Sequence, residues 1–319
     1  LFEYNVCKLP NVRTISRTMP QTLVEADLHE LISQFLRAEK PMIVVGQMRP
    51  TTIDTTLIKE LEKHAVVISE VLSGVGTLQN ADELLATSTE TVELKPDFIL
   101  YLGGHLIGKN IKSLLRQAQD AAQWLINEGG DVIDTFMHLT TIVETLPNNV
   151  LSLMVQMMQQ IDKKQHEARV NAYIQRWQKA HNDYRENLKK ERLEYTEAFA
   201  VQCFEQQLSH STTPYEVHYA NSMSVRLANK YAQHPVWCNR GVNGIEGSLS
   251  TAAGMSLTTT NNVYCIIGDL SFFYDQNALW NTRLKGNFRI ILLNNGGGKI
   301  FQHVKGMPAN DIRDTFVSA

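Results

Sequence analysis

Apolar and amphipathic segments alternate along the first half of the chain. Continuous apolar runs at 41–46, 65–69 and 97–104, each ending in glycine or serine, predict buried strands. Apolar residues recur at helical spacing over 26–37, 53–64 and 111–125, which predicts three amphipathic helices. Short strands that alternate with helices are typical of a parallel, doubly wound sheet, and we expect one over roughly residues 20–150.

A second alternating region follows residue 195. Its pattern predicts helices at 221–233, 248–257 and 275–284, strands at 235–238, 263–267 and 288–293, and a glycine-rich turn at 239–247. Three strands are few for such a sheet, so we expect it to be incomplete. The chain begins at Leu1 without an initiator methionine and stops in a helix-like stretch at 311–319. We therefore expect it to be an excerpt of a longer polypeptide.

The segment between these regions is rich in Gln, Lys, Arg and Glu, which predicts a helical connection with a solvated face. Its charges are mixed in sign, which disfavours a membrane-surface or calmodulin-target helix. The predicted fold class is α/β, with two doubly wound parallel-sheet domains. We expect a central domain at 1–160, the helical connection at 161–194 and a C-terminally truncated second domain at 195–319.

Composition and net charge limit the kinds of partner that the chain is expected to bind. The chain has 319 residues, enough for about two domains, and 43% of them are hydrophobic. Its net charge of −3 gives no electrostatic reason to expect nucleic acid or an anionic membrane. No apolar run approaches the roughly 20 residues of a membrane span. The four cysteines, Cys7, Cys203, Cys238 and Cys265, form no metal-ligand spacing, so we expect reduced thiols and a cytoplasmic location.

Polar residues follow two of the predicted strands directly. Asp269 follows the strand at 263–267 after a glycine, and Asn294 and Asn295 follow the strand at 288–293. Ligands of parallel sheets bind beyond the carboxyl ends of strands. A carboxylate, an amide oxygen and a backbone carbonyl form an oxygen-only ligand set that suits Mg²⁺ or Ca²⁺, and a diphosphate would complete the shell. The glycines at 296–298 would let the backbone approach phosphates.

Each half of this pattern is weak alone, because Asn-Asn-Gly is also a common turn. Together, at two strand ends, they favour a cation–diphosphate site over an accidental pair of turns. Asp275 is predicted to be an N-cap of the following helix and not a further ligand. No GxGxxG fingerprint follows Val45, so FAD or NAD is not expected in the first domain.

The paired motifs resemble those of thiamin diphosphate-dependent enzymes. Within that superfamily, the segments 268–280, 293–301, 220–226 and 238–254 resemble the 2-succinyl-5-enolpyruvyl-6-hydroxy-3-cyclohexene-1-carboxylate synthase family of menaquinone biosynthesis. Leu270 stands where acetolactate synthases and pyruvate decarboxylases usually carry glycine. The resemblance covers the whole chain in domain order, but its specific motifs lie almost entirely in 220–301.

The resemblance implies a cofactor site. Asp269, the side chain of Asn295 and the carbonyl of Gly297 would hold Mg²⁺ (or Mn²⁺) against the diphosphate of thiamin diphosphate. The other cofactor-binding positions that it implies are Gly268, Leu270, Ser271, Gly298 and Ile245. Ser271 and the backbone around Gly298 would bond phosphate oxygens. Ile245 matches the bulky residue under the bent cofactor, although by sequence alone simple core packing is the better interpretation of this isoleucine.

The resemblance also implies substrate contacts. Ser222, Arg226 and Arg240 match positions that receive substrate carboxylates, and arginine suits carboxylates because its contacts are bidentate and permanently charged. Surface or inter-domain ion pairs are the alternative for both arginines. Ile300 and Phe301 would form an apolar wall near the cofactor's thiazolium, with ordinary packing as the competing interpretation.

A weaker substrate contact is implied in the first domain. Lys109 matches a basic segment that approaches the acceptor substrate. The next position, Asn110, departs from the family, which usually has arginine there, and this loss of charge puts the first domain's contribution in doubt. Without the resemblance, Lys109 would be interpreted as a surface lysine at a helix start.

The implied reaction is decarboxylation of 2-oxoglutarate followed by conjugate addition of the succinyl carbanion to isochorismate. In this superfamily a glutamate of a separate pyrimidine-binding domain activates the cofactor, and nothing in the chain corresponds to that domain. We therefore predict that these residues alone are inactive and that the full-length parent is a homodimer or homotetramer. The alternatives are an acetolactate synthase-like or oxalyl-CoA-type decarboxylase, and a non-catalytic cofactor-binding module.

Overall fold

The computed structural model describes residues 15–18, 32–75, 78–88, 91–161, 163–303, 315–316 and 318. Its strands form two sheets, and all strand pairs in both are parallel. The predicted α/β class with two parallel-sheet domains is therefore confirmed.

The first sheet has the strand order β1-β6-β5-β4-β2-β3. Its strands are β1 (Ser16–Thr18), β2 (Pro41–Val45), β3 (Val66–Ser69), β4 (Phe98–Leu102), β5 (Ala122–Ile126) and β6 (Thr141–Val143). The predicted strands at 41–46, 65–69 and 97–104 are confirmed as β2, β3 and β4. Every residue of β2 is buried because Met42 and Val44 face one hydrophobic cluster while Ile43 and Val45 face another.

Helices cover both faces of this sheet. They are α1 (described over 32–37), α2 (Thr55–Leu61), α3 (Ala81–Thr87), α4 (Lys109–Arg116), α5 (Pro147–Met158) and α6 (Lys163–Lys190). The first cluster contains α3, α4 and α6, and the second contains α1, α2 and α5. The predicted helix at 53–64 is confirmed as α2. Of the helix predicted at 26–37, residues 26–31 lie outside the described ranges.

The single helix predicted over 111–125 is wrong in its second half. The helix ends at Arg116, and Ala122–Ile126 forms β5 between β4 and β6. Ala122 and Leu125 also fit helical spacing, so periodicity does not distinguish the two structures in this short stretch. Residues 122–126 form a strand because β4 and β6 provide backbone hydrogen-bond partners on both sides.

The helical connection predicted at 161–194 corresponds to α6. This helix is charged along most of its length, but Val170, Tyr173 and Trp177 are buried against the first sheet. The indole Nε1 of Trp177 and the hydroxyl of Tyr173 both donate to the carbonyl of Leu94, at 3.2 and 3.0 Å. One face of α6 therefore belongs to the core of the first sheet.

The second sheet has the order β7-β8-β9, with β7 at Tyr215–Tyr219, β8 at Asn262–Gly268 and β9 at Phe288–Leu293. Its helices are α7 (Glu197–Leu208), α8 (Met223–Tyr231), α9 (Ser248–Thr258) and α10 (Asp269–Asp275), with 3-10 segments at Gln276–Trp280 and Lys299–His303. The predicted strands at 263–267 and 288–293 and the helices at 221–233 and 248–257 are confirmed.

The strand predicted at 235–238 is wrong, because these residues contribute a single bridge, between Trp237 and His218 of β7. Glu216 and His218 interrupt the apolar pattern of β7 and hide it from periodicity. Each nevertheless has a side-chain partner in the fold, although the buried Nδ1 of His218 has none among the described residues. The carboxylate of Glu216 accepts from the Trp237 indole at 2.8 Å, and His218 contacts the side-chain oxygen of Asn239 at 3.3 Å.

The helix predicted at 275–284 begins earlier, at Asp269, and Asp275 is its last residue. Asp275 occupies the N-cap position of the 3-10 segment Gln276–Trp280, but its side chain makes no capping hydrogen bond there. Its carboxylate accepts from the backbone N–H and hydroxyl of Ser250, at 2.7 and 2.5 Å, and so satisfies the first turn of α9.

The two sheets share an apolar junction. Val71, Leu72 and Ile107, from the first sheet's loops, pack in one cluster with residues of α8, β7 and β8. Asn229 of α8 accepts from the backbone N–H of Val71 at 3.1 Å. Cys203, Cys238 and Cys265 are free thiols, and burial raises the pKa of Cys238 and Cys265 to about 12. Among the described helices, none combines the length and apolarity that crossing a membrane requires.

Candidate functional site

The strands β7, β8 and β9 are parallel neighbours, so their carboxyl ends meet at one edge of the second sheet. Gly268 of β8 pairs with Leu293 of β9, and each is the last residue of its strand. Asp269 and Asn294 therefore leave the sheet side by side. The segment containing Ser222 follows β7 at the same edge. The sheet thus brings together the three segments that carry most of the predicted site.

Asp269 is 3% exposed and joins the two strand ends. Its Oδ2 accepts the backbone N–H groups of Gly296 and Gly297, both at 2.8 Å. The N–H of Gly297 also lies 3.1 Å from the side-chain Oδ1 of Asn295. The side-chain oxygens of Asp269 and Asn295 thus contact one common donor and lie close together. Gly296 and Gly297 have φ of 82° and 145°, a region that favours glycine.

These residues fit a hard cation that is shared with phosphate. An ionised carboxylate has about four acceptor positions, and the described contacts of Asp269 leave some of them available. A side chain added at Gly268 or Gly296 would meet no atom of the described residues within 4 Å, so among these residues space is open beside the carboxylate. The described residues contain no group of three or more His, Cys, Asp or Glu that could hold a metal. One carboxylate with amide and carbonyl oxygens remains the donor chemistry of Mg²⁺ sites that phosphate completes.

The other predicted cofactor positions surround this turn. A Cβ added at Gly298 would lie 3.0 Å from the ring of Phe301 and 3.3 Å from Leu270, so these three residues are in close contact. Ile300 and Phe301 lie in the 3-10 segment that follows, with Phe301 exposed. The hydroxyl of Ser271 donates to the carbonyl of Ile245. That bond holds Ile245 beside α10, but it also occupies the hydroxyl proton that was expected to bond phosphate.

The predicted arginines converge on the loop that follows β4. Arg226 donates to the carbonyl of Ile107 at 3.0 Å, and Arg240 approaches the carbonyl of Leu106 at 3.4 Å. Arg240 is 7% exposed and also donates to the side-chain oxygen of Asn221 at 3.0 Å. Its buried Nε has no hydrogen-bond partner among the described residues. Both guanidinium groups are thus fixed by neutral oxygens, which leaves their charges uncompensated by these contacts.

Further charges face this loop. Lys112 donates to the carbonyl of Leu106 at 3.2 Å. Burial lowers the pKa of Lys112 and of Arg240, and the charge of Arg226 adds to both shifts. Glu70 is 3% exposed and accepts the backbone N–H groups of Ile107 and Gly108, at 2.5 and 2.7 Å. Burial raises the pKa of Glu70 to about 7 even though both hydrogen bonds oppose the shift.

Lys109 is the first residue of α4, in the same loop region, and its side chain is exposed. Asn110, where the family usually has arginine, donates from its backbone and side chain to Asp82 at 2.6 to 3.3 Å. Its contacts therefore tie α4 to α3. Where the family usually has a second basic side chain, this chain therefore has an amide side chain that contacts Asp82 within the first domain.

Ser222 has φ 73° and ψ −127° at the N-terminus of α8, and its side chain makes no capping hydrogen bond. A serine in this region of backbone space is strained, and such strain is concentrated at functional sites. Its neighbour Asn221 was not predicted. Asn221 is buried, and its amide donates to the carbonyls of Asn239 and Gly244, at 2.5 and 2.6 Å. Asn221 lies two residues beyond the end of β7, so it would have been identified only if that strand had been predicted.

Two cavities formed by described residues lie away from the strand ends. One of about 690 Å³ is lined by α3, α6 and Lys230, and one of about 470 Å³ is lined by α6, α7, Tyr231 and His234. None of the predicted site residues lines either cavity.

A parallel α/β fold with a carboxylate, an amide and glycines at two neighbouring strand ends is the arrangement expected of thiamin diphosphate-dependent enzymes, and comparison with known proteins agrees with this class. Residues 16–212 match the family model described as the middle domain of thiamine pyrophosphate enzymes. The chain therefore belongs to the thiamin diphosphate-dependent enzyme family. A solved structure of a thiamin diphosphate-dependent enzyme from Mycobacterium smegmatis superposes with a TM-score of 0.53 at 15% identity, covering 90% of this chain and 56% of that one. At that identity the likeness shows the fold alone.

The similar sequences narrow the family further. The chain is 34% identical over 330 residues to the 2-succinyl-5-enolpyruvyl-6-hydroxy-3-cyclohexene-1-carboxylate synthase of Bacteroides thetaiotaomicron, covering 100% of this chain and 57% of that protein. It is 32% identical over 329 residues to the synthase of the same name from Phocaeicola vulgatus, covering 100% and 56%. The Cytophaga hutchinsonii synthase is 34% identical over 92% of this chain and 53% of its own length. The chain thus spans between half and three-fifths of these relatives.

Proposed function

We propose that the chain is the middle and diphosphate-binding part of an enzyme that decarboxylates 2-oxoglutarate and adds the resulting succinyl carbanion to isochorismate, in menaquinone biosynthesis. The proposed reaction requires thiamin diphosphate and Mg²⁺ or Mn²⁺. The observation that carries it is the contact of Asp269 with Gly296 and Gly297, because it joins the two halves of the cofactor motif. The names of the similar synthases support the substrates.

Bound thiamin diphosphate would supply a nucleophilic carbon and accept the electron pair released with CO₂. The chain's own residues would place and orient the reactants. Asp269, Asn295 and the carbonyl of Gly297 would hold the cation, and the amides at 296–298 would face the diphosphate. Ile245, Leu270 and Phe301 would exclude water from the apolar side of the site.

Ser222, Arg226 and Arg240 would receive the carboxylates of the substrates. Both substrates are dianions at neutral pH, and the guanidinium groups lie where neutral carbonyls hold them without cancelling their charge. Arg240 is buried, so a carboxylate there would interact with it in a poorly screened environment. Lys109 is a weaker candidate because Asn110 contributes no charge beside it.

Two measurements test this function. Thiamin diphosphate with Mg²⁺ should raise the melting temperature of the chain, and the complete protein should release CO₂ from 2-oxoglutarate faster than from pyruvate. Preference for pyruvate would favour an acetolactate synthase-like enzyme. Absence of any thermal shift at saturating cofactor would contradict a cofactor site in this chain. The boundaries at 160 and 194, the homodimeric or homotetrameric state and the inactivity of these residues alone stay predictions.

A further inference from the structure

Glu70 is a buried carboxylate that the proposed chemistry does not use. It follows β3 at the carboxyl edge of the first sheet and is 3% exposed. Burying a charge is costly unless hydrogen bonds and opposite charges compensate it. Its partners are backbone N–H groups, those of Ile107 and Gly108, at 2.5 and 2.7 Å, and the hydroxyl of Ser73 donates elsewhere, to Val45. These two hydrogen bonds tie the carboxylate to one specific piece of backbone, residues 107–108.

That piece of backbone carries the contacts of the arginine pair. The N–H of Ile107 donates to Glu70, and the carbonyl of the same residue accepts from Arg226. The carbonyl of Leu106, one peptide earlier, accepts from Arg240 and Lys112. Because each peptide group is planar, the hydrogen bonds from the N–H groups to Glu70 also fix the direction of the carbonyls that face the cations. Three cationic side chains are thus positioned through a short segment that Glu70 holds.

The charge of Glu70 also acts on these cations directly. Its negative charge opposes the lowering of the pKa of Lys112 and of Arg240, whereas the cations' mutual repulsion enhances it. A neutral side chain of the same shape would leave Lys112 and Arg240 less compensated and the loop held by a weaker acceptor.

We propose that Glu70 is a positioning residue for substrate carboxylates: its carboxylate fixes residues 106–108 so that their carbonyls orient Arg226 and Arg240 toward the site. This inference rests on the proposed function for the identity of the ligand, a dicarboxylic 2-oxoacid. The hydrogen-bonded arrangement itself does not depend on that function. A site whose ligand-binding groups are held by a second set of residues is the arrangement that accurate placement requires.

The chain offers a matched control in Glu83. Glu83 lies on α3 at the same domain junction, and burial raises its pKa to about 7, as for Glu70. It accepts from the side chain of Asn229, at 3.0 and 3.3 Å, and makes no described contact with residues 106–108. Glu83→Gln removes the same charge from the same region but leaves the hydrogen bonds of residues 106–108 untouched.

The first test measures 2-oxoglutarate affinity calorimetrically in the complete protein with thiamin diphosphate and Mg²⁺. We expect Glu70→Gln to weaken binding roughly tenfold, the equivalent of about 1.4 kcal/mol, and Glu83→Gln to change it less than about twofold. Equal losses in both variants would show a general effect of charge at the junction and would overturn the proposal.

The second readout is the pH profile. The groups facing Glu70 are Asp82 and Glu83 from α3, Tyr101 from β4, Lys112 from α4 and Arg240 from the second domain. All of them remain in Glu70→Gln. We expect wild-type affinity to fall as the pH drops through about 7, the profile of Glu83→Gln to do the same, and that of Glu70→Gln to be flat. A pH dependence that persists in Glu70→Gln would assign it to another group and contradict the proposal.

A third measurement needs no variant and no substrate. In wild-type protein, the amide resonances of Ile107 and Gly108 should titrate with the same midpoint as the Glu70 carboxyl carbon, because both N–H groups donate to it. Amides that do not respond to this titration would overturn the positioning role. If the amides respond but 2-oxoglutarate does not bind, the proposed substrate is wrong while the arrangement held by Glu70 stands.

Discussion

The carboxylate of Asp269 accepts the backbone N–H of Gly297 at 2.8 Å, across the ends of two neighbouring strands. This bond fixes the distance between the two halves of the cofactor motif before any ligand is present. The same N–H is 3.1 Å from the side-chain oxygen of Asn295, so the proposed cation ligands are assembled around one donor. The first prediction concerns this carboxylate.

Asp269→Asn should abolish the thermal stabilisation by thiamin diphosphate and Mg²⁺. An amide keeps the shape but removes the charge that a divalent cation requires. Stabilisation of about 2.7 kcal/mol is expected for the wild type at a ligand concentration of 100 Kd. The measurement is differential scanning fluorimetry across a Mg²⁺ titration.

Asp275→Asn is the matched control, since Asp275 is buried in the same helix but bonds Ser250. It should lower the melting temperature of the free protein and keep the cofactor-induced shift. If Asp275→Asn loses the shift and Asp269→Asn keeps it, the cation site is misassigned.

Arg240→Lys should weaken 2-oxoglutarate binding about 10- to 100-fold, since hydrogen bonds between charged groups contribute about 1.5–3 kcal/mol. Lysine keeps the charge but not the planar fork of donors that also bonds Asn221 and Leu106. Titration calorimetry measures the change. Arg289→Lys is the control, because Arg289 is an exposed residue of β9 in the second sheet, and this variant should leave the affinity unchanged. Wild-type affinity in Arg240→Lys would remove Arg240 from the substrate site.

Ser222→Gly should stabilise the protein by about 1 kcal/mol, because glycine adopts φ 73° without the strain that serine bears. Ser222→Ala should be close to neutral, since the hydroxyl makes no capping bond. Both should weaken 2-oxoglutarate binding if the hydroxyl contacts a carboxylate. Chemical denaturation and calorimetry separate the two effects, and unchanged binding in both variants would leave Ser222 with a backbone role alone.

Trp177→Ala should destabilise the protein by about 3–5 kcal/mol, the usual cost of truncating a buried aromatic residue. Trp177 is fully buried where α6 packs on the first sheet. Urea denaturation followed by circular dichroism measures the loss. Trp280 is 81% exposed, so Trp280→Ala is the control and should cost little. A comparably small effect of Trp177→Ala would mean that α6 does not depend on this contact.

Stability should decrease as the pH falls from 6.5 toward 4. Burial, together with the nearby charges of His64 and Arg169, lowers the pKa of His166 from 6.5 to about 4. A histidine whose folded-state pKa is lowered contributes stability above its unfolded pKa, and that contribution is lost as the pH falls through the folded value. Melting temperatures between pH 4 and 7 measure this loss.

His166→Gln should reduce that pH dependence, whereas His210→Gln, at an exposed position, should not. Part of the dependence should remain in His166→Gln, because burial also lowers the pKa of His218 to about 4. Identical pH profiles for the wild type and His166→Gln would exclude His166 as the source.

The sequence by itself determined the features that depend on neighbours along the chain. The all-apolar runs of β2, β3 and β4 can be buried only in a two-sided parallel sheet, so the fold class followed from them. The placement of Asp269 and Asn295 at strand ends also followed, because a polar residue directly after a buried strand must lie at the sheet's edge.

Only the tertiary structure decided the features that depend on contacts between distant segments. Ala122–Ile126 became a strand because β4 and β6 offer it hydrogen bonds. β7 formed although Glu216 and His218 break its apolar pattern, because Trp237 and Asn239 each provide one of them with a partner. The hydrogen bond between Glu70 and Ile107, whose carbonyl accepts from Arg226, joins residues 37 positions apart and leaves no periodic trace in the sequence. Local spacing records which face of an element is apolar, whereas the partner that satisfies a buried polar group is set by the fold as a whole.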